Sequence, residues 1–359
     1  MQYTRSNKLL TAYSRAQEKW AYEELPSLTG KVAIVTGANS RDGVGYHTAY
    51  RLALAGARVY VGARSQQKAD GAIKNMLEDS PSLDAALLKP LVMDLSNFHE
   101  VQQVARRFLK DEDRLDILVN NAALLPGPVA FDSNGLSLSF ATNYLGPFLF
   151  TTELVPLLKA TAKQDPKNDV RVVIVGSTAH YDVPAGAKFN TLDDFNSLFA
   201  KPEDPISYYL HYGYTKREHR SYLHMNATPV RSNCFSQLTV FKVATILFAK
   251  ELQRKFDVEG VPILVMNPNP GGVASDGSAR YLGGRDSDIF REALTPAEGA
   301  LTILFTAAHP EPVLDRAKYA GAFVLPFGGW KEASQQAQDP ALAAQLWEGS
   351  EALLKTLLK

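Results

Sequence analysis

Lys31-Val-Ala-Ile-Val-Thr-Gly-Ala-Asn-Ser-Arg-Asp-Gly-Val-Gly45, followed by Tyr46-His-Thr-Ala-Tyr-Arg-Leu-Ala-Leu-Ala-Gly56, decides the fold. Val32 to Val35 is a short uninterrupted apolar run, the pattern of a strand buried on both faces of a parallel sheet. Gly37, Gly43 and Gly45 then let the backbone approach a pyrophosphate at the start of a helix, which Gly56 ends. Arg58-Val-Tyr-Val-Gly62 reads as the next strand and closes a strand–helix–strand unit. A tight turn of no function could carry the same glycines, but the strand before and the helix after favour a dinucleotide site.

The residues past that second strand choose between cofactors. A site for NAD places Asp or Glu about 20 residues beyond the glycines, on the ribose 2′-hydroxyl. Here Ala63-Arg64-Ser65 stand in that place and no acid precedes Asp70. Arg64 and Ser65 suit a 2′-phosphate, and Arg41 in the glycine loop adds positive charge, so NADP(H) is expected.

Further apolar runs predict strands at 89–93, 115–119, 171–176, 261–266 and 321–325, beside those at 31–35 and 58–62, with helical patterns between most of them. This alternation predicts one enlarged α/β domain over 29–335, with a polar helical extension at 1–28 and a packing helix at 336–359. Hydrophobic residues make up 45% of the chain and charged ones 21%, enough for a large core. The formal net charge is zero, which gives no electrostatic case for nucleic acid or an anionic membrane. No apolar run reaches the ~18 residues of a transmembrane span, and the N-terminus lacks a signal peptide's apolar segment. The single cysteine, Cys234, excludes an internal disulfide framework. A cytoplasmic enzyme is expected. The seven histidines show no metal-ligand spacing beyond His219 and His224, so no metal is expected.

Tyr212-Gly-Tyr-Thr-Lys216 carries the chemistry. On a helix, positions four apart share a face, and an ammonium beside a phenol favours the phenolate. A tyrosine tuned in this way can donate or accept a proton at an alcohol or carbonyl oxygen.

Taken in order, these motifs resemble the short-chain dehydrogenase/reductase family, and within it the retinol-dehydrogenase-like branch, over residues 29–356. Thr36 to Gly45 resembles its glycine motif, Asp94-Leu95-Ser96 the segment beside the adenine, and Asn120-Asn121-Ala122-Ala123 its Asn-Asn-Ala-Gly motif. Asn143 falls on the family's catalytic asparagine, Ser177 on its serine, and Tyr212 and Lys216 on its catalytic pair. Pro270-Gly271-Gly272-Val273-Ala274-Ser275 resembles the Pro-Gly turn near the nicotinamide.

The resemblance implies a single Rossmann-type doubly wound parallel sheet with helices on both faces. It also implies a cofactor site drawn from Gly37, Asn39, Ser40, Arg41, Gly43, Val44, Gly45, Arg64, Ser65, Asp94, Leu95, Asn121, Ala122, Tyr212, Lys216, Pro270, Gly271, Val273 and Ser275. The expected reaction interconverts an apolar alcohol and its ketone or aldehyde. Tyr212 moves the proton, Lys216 lowers its pKa, Ser177 hydrogen-bonds the reacting oxygen, and Asn143 anchors a relay behind the lysine. Family members commonly form homodimers through the helix bearing the pair.

Two departures stand out. Arg41-Asp42 lengthens the interval between the first two glycines to five residues, against three in the family. After Lys216 the expected helix continuation is missing and resumes only at Val243-Ala-Thr-Ile-Leu-Phe248, so the 26 residues 217–242 interrupt it. Asn226, Pro229 and Asn233 suit a helix interior poorly. Codons available at the junctions permit splicing: CGT-GAG for Arg217-Glu218, CTG-ACN for Leu238-Thr239 and AAA-GTN for Lys242-Val243. The segment is therefore expected to be a translated intron. The interruption also keeps a second reading open, a non-catalytic NADP-binding protein that has kept the fold. The complete set Asn143, Ser177, Tyr212 and Lys216 speaks against it. Residues 181–211 and 275–295 are expected to fold over the site.

Overall fold

The computed structural model describes residues 20–124, 130–165, 168–182, 186–197, 233–279 and 284–359. Eight strands form one sheet: β1 (Val32–Val35), β2 (Arg58–Ala63), β3 (Leu88–Val92), β4 (Ile117–Asn120), β5 (Val170–Ile174), β6 (Ile263–Pro268), β7 (Phe323–Leu325) and β8 (Gly329–Trp330). Their order is β3-β2-β1-β4-β5-β6-β7-β8. Every pairing is parallel except β7 with β8. The seven strands read from the sequence are all present, within about two residues at their ends. Strand β8 was not foreseen, since two residues carry no periodicity.

Alternation along the strands divides the core. Val32 and Ile34 face one hydrophobic layer and Ala33 and Val35 the other. The second layer holds α1 (Val44–Leu54), α2 (Gln66–Asp79) and, later in the chain, α6 (Pro296–Ala308). The first holds α3 (Phe98–Asp111), α4 (Gly146–Gln164), α5 (Asn233–Val258) and α7 (Pro340–Leu357). A strand sandwiched in this way is predominantly apolar, which is why the runs read as near-continuous rather than alternating.

Helix α7 is no appendage. Trp347 meets Phe148 of α4 edge-to-face at 4.9 Å, and Tyr144 and Ser350 share a hydrogen bond of 2.9 Å. Of the expected N-terminal extension, residues 1–19 lie outside the described residues. Trp20 packs on His309, and Leu28 enters the core. No helix among the described residues is long and apolar enough to cross a membrane.

A buried cation locks the far end of the sheet. Arg171 on β5 is 1% exposed, and its guanidinium pairs with Asp169. It also donates to the carbonyls of Thr306 (3.2 Å) and His309 (2.8 Å) at the C-terminus of α6. Those carbonyls have no amide partner within the helix, and positive charge is favourable there. Replacing Arg171 by leucine strands the carbonyls and Asp169. It is expected to destabilise the fold by about 3 kcal/mol, read as a lower urea midpoint at unchanged slope.

Candidate active site

In a sheet of this order the chain reverses its winding between β1 and β4, and the crevice at their C-terminal ends is where such folds bind ligands. The segments that follow β1, β2, β3, β4, β5 and β6 carry Gly37, Arg64, Asp94, Asn121, Ser177 and Pro270 respectively. These six predicted residues thus sit on segments that leave the same edge of the sheet.

Thr36 organises the crevice. Its hydroxyl accepts the backbone N–H of Asn121 and of Ala122, both at 3.0 Å, and faces the Val119 carbonyl at 3.4 Å. The Asn121 side-chain amide donates back to the carbonyls of Thr36 (2.9 Å) and Gly37 (3.3 Å). These bonds weld the turn after β1 to the turn after β4. The weld needs glycine at two places. Gly37 sits at φ +66, and a Cβ on it would lie 2.8 Å from Ala122 Cα. A Cβ on Gly45 would strike the Asn121 amide and the Gly37 carbonyl. Sequence reading chose Gly37, Gly45, Asn121 and Ala122 but passed over Thr36. Its place between a buried strand and the first glycine was the available signal.

Helix α1 begins here with Gly43 as its N-cap and no side-chain cap. Its first-turn N–H groups are therefore open to an anion. Asn39, Ser40 and Val44 are half-buried around this end. Val44 also contacts the far side of the site. Gly299 on α6 allows it, since a Cβ there would lie 2.6 Å from Val273 and 3.2 Å from Val44. Gly299 is a second residue that the sequence reading missed.

The lengthened glycine loop is held by charges on both sides. Arg41 bonds Asp79 at 2.8 Å and the Asn75 carbonyl at 3.2 Å. Asp79 also accepts the Tyr46 hydroxyl at 2.6 Å, and this bond, with Arg41, holds its carboxyl below the usual range. Asp42 pairs with Arg285, which also pairs with Asp276, and Asp276 faces Ser40 Oγ at 3.3 Å. Arg41 was expected to add positive charge in the glycine loop. Asp79 ends α2, whereas Arg64 and Ser65 precede its first turn, about 20 Å away at 1.5 Å per residue. Carboxylates at the C-terminal end of α2 attract Arg41 instead.

At the end of β2, Arg64 is exposed and Ser65 is the N-cap of α2, yet the Ser65 hydroxyl caps no amide. Asp70 takes the side-chain amide of Gln66 at 2.8 Å. Asp94 accepts the amide and hydroxyl of Ser96, at 2.9 and 2.7 Å, while Leu95 is buried. Beyond β6, Gly271 takes φ +89, and Ser275 and Ser278 brace the turn by reciprocal bonds. Asn269, just before Pro270, has a buried Nδ2 with no partner among the described residues.

Asn143 lies in a π-helical turn, Ala141–Leu145, ahead of α4. Such turns are frequent at functional sites. Its side chain exchanges two hydrogen bonds with the Leu124 backbone, at 2.6 and 2.9 Å, so it braces the loop after β4. Ser177 follows β5, half-buried, its Oγ receiving the Ala179 N–H at 3.2 Å. Tyr212 and Lys216 lie outside the described residues, as does most of 181–211. Helix α5 packs against both the Thr178–Asp182 turn and the Asn143 turn.

His180 is fully buried, with Nδ1 at 2.7 Å from the Ser177 carbonyl and its ring against Tyr181 and Phe323. Burial lowers its pKa from 6.5 to about 4. It is therefore a packed neutral histidine that fixes the serine's backbone. Below pH 6.5 the unfolded chain binds a proton that the native ring refuses until about pH 4. Stability should therefore fall by ~3 kcal/mol as pH drops through that window. His47 and His309, also lowered by burial, act in the same direction. Urea titrations between pH 4.5 and 7.5 should show a shallower dependence in His180→Asn; an unchanged slope removes His180 as a source.

Known proteins agree with this geometry. A family profile described as short chain dehydrogenase matches residues 31–188. A short-chain dehydrogenase/reductase of Armillaria gallica is 39% identical over 343 residues, spanning 92% of this chain and 95% of its own length. An uncharacterized protein from Mycobacterium paratuberculosis superposes with a TM-score of 0.61 at 25% identity, covering 94% of this chain and 98% of its own. A protein of the short chain dehydrogenase type from Escherichia coli, complexed with NADPH, shares the fold with a TM-score of 0.55 at 19% identity, over 84% of this chain and 98% of its own. The motif order, the sheet and these relatives place the chain in the short-chain dehydrogenase/reductase family of oxidoreductases.

Proposed function

We propose that this oxidoreductase uses NADP(H) to interconvert an apolar alcohol and its ketone or aldehyde. The observation that carries the cofactor choice is the end of β2. There Arg64 and the uncapped Ser65 stand where an NAD site needs a carboxylate, and the nearest one, Asp70, is engaged by Gln66. The crevice also fits the rest of a dinucleotide. Backbone at Gly37 and Gly45 leaves no room for a side chain, the α1 amides are open to a pyrophosphate, and the buried Nδ2 of Asn269, at the end of β6, has no partner among the described residues. NADPH bound to the Escherichia coli fold neighbour supports the same cofactor class.

Bound NADP(H) would supply or accept the hydride at the carbon bearing the reacting oxygen. In this reading Ser177 Oγ donates a hydrogen bond to that oxygen and stabilises charge as it develops. The Tyr212 hydroxyl gives or takes its proton, with the Lys216 ammonium favouring the phenolate. Asn143 positions the loop after β4 through Leu124.

A panel of ketones, aldehydes and alcohols, assayed with both NADP(H) and NAD(H), tests the activity. Arg64→Asp should weaken NADPH at least ~10-fold and improve NAD, as loss of a charge-assisted bond and gain of a ribose acceptor require. Unchanged preference would make Arg64 a plain surface residue. Tyr212→Phe keeps the ring but removes the proton donor, and kcat should fall at least ~10²-fold with NADPH binding intact. Near-normal turnover in that variant sinks the assignment.

A further inference from the structure

Helix α5 runs from Asn233 to Val258, across the point where the family-like sequence resumes at Val243. From there its register is locked. Val243, Ala244, Ile246, Leu247 and Phe248 are buried, and Phe248 packs on Phe148 at 5.2 Å and on Trp347 at 6.0 Å. Residue 242 is the helical position directly before this anchored run. Lys242 fills it, in a desolvated setting that lowers its ammonium to about 8. Four residues earlier, on the same face, the sequence has Leu238.

Removing residues 217–242 would set a different pair in the same two positions. Lys216 would take the position of Lys242, and Tyr212 that of Leu238. The 359-residue chain therefore keeps a lysine in register with the anchored helix and loses the tyrosine four before it. Helix α5 packs on the turns that carry Asn143 and follow Ser177. These two positions thus stand at the start of the buried stretch that reaches the site.

We propose that residues 217–242 are a translated intron and that the catalytic enzyme is the 333-residue chain lacking them. This rests on Tyr212 and Lys216 being the working pair. Two features of the sequence converge on it. The segment is poor helix material at Asn226 and Pro229. Its junctions admit a GTGAG donor, a CTGAC branch site and an AG acceptor in one phase. The leftover C and TN make a leucine codon, so the product reads Tyr-Gly-Tyr-Thr-Lys-Leu-Ala-Thr-Ile-Leu-Phe. The retained segment thus supplies a cation, Lys242, in the register that Lys216 would take, while Leu238 four residues earlier has no ionisable group.

The decisive measurement compares the gene with its mature transcript. The expected transcript lacks the 26 codons and joins the Lys216 codon to a CTN leucine codon ahead of Ala244. A mature transcript that still encodes Arg217 to Lys242 overturns the proposal. Both chains should also be expressed and compared by thermal unfolding and by turnover on the carbonyl panel with NADPH. The 333-residue form is expected to melt higher and to turn over at least ~10²-fold faster, the scale of a general acid. Equal turnover by the 359-residue form counts against it. A spliced transcript with two inactive chains upholds the intron and counts instead against the proposed reaction.

Discussion

The crevice depends on one side-chain hydroxyl, that of Thr36, which accepts two backbone amides from the turn after β4 while its own strand ends in the turn after β1. With Asn121 returning two bonds to the Thr36 and Gly37 carbonyls, the two turns move as one body. A hydroxyl has two lone pairs and one proton, so this one is saturated by the junction and free for nothing else. The close approach of Gly37 and Gly45 follows from it. Once the turns are joined this tightly, no Cβ fits between them, and a ligand meets backbone rather than side chains.

Charge is distributed to suit that crevice. Arg41 and Asp42, the residues that lengthen the glycine loop, are each paired away from its centre, one to Asp79 and the other to Arg285. These pairs are exposed, so each adds little stability. Their effect is positional: they pull the extra residues outward and leave the start of α1 uncapped. Arg64, at the opposite end of α2, is exposed and has no such partner among the described residues. Arg171, by contrast, is buried, and its charge closes the C-terminus of α6, which fixes Gly299 and through it Val44 and Val273.

On the other face the aromatic layer of Phe148, Phe248 and Trp347 decides where α5 lies. That layer fixes the helix from Val243 onward, so the residue joined ahead of Val243 continues the same helical register. The identity of the residues at those positions is then a matter of which segment is joined to the anchor.

The parallel α/β sheet, the glycine turn and the order of the motifs were legible in the amino acids alone. Strands covered on both faces are predominantly apolar, and a turn with no room for a Cβ must be glycine, so both leave marks in a single chain. The absence of an acid after β2 was legible there too. The pairing of Arg41 with Asp79 became visible only in the folded chain, because its partners lie 34 to 38 positions away on α2. The same holds for Thr36 and Gly299, whose importance comes from atoms that approach them from distant segments. It holds also for His180, whose charge is set by the depth of packing rather than by its neighbours in the chain. Spacing and composition record local geometry; contacts between remote segments, and the desolvation they bring, arise only when the chain has folded.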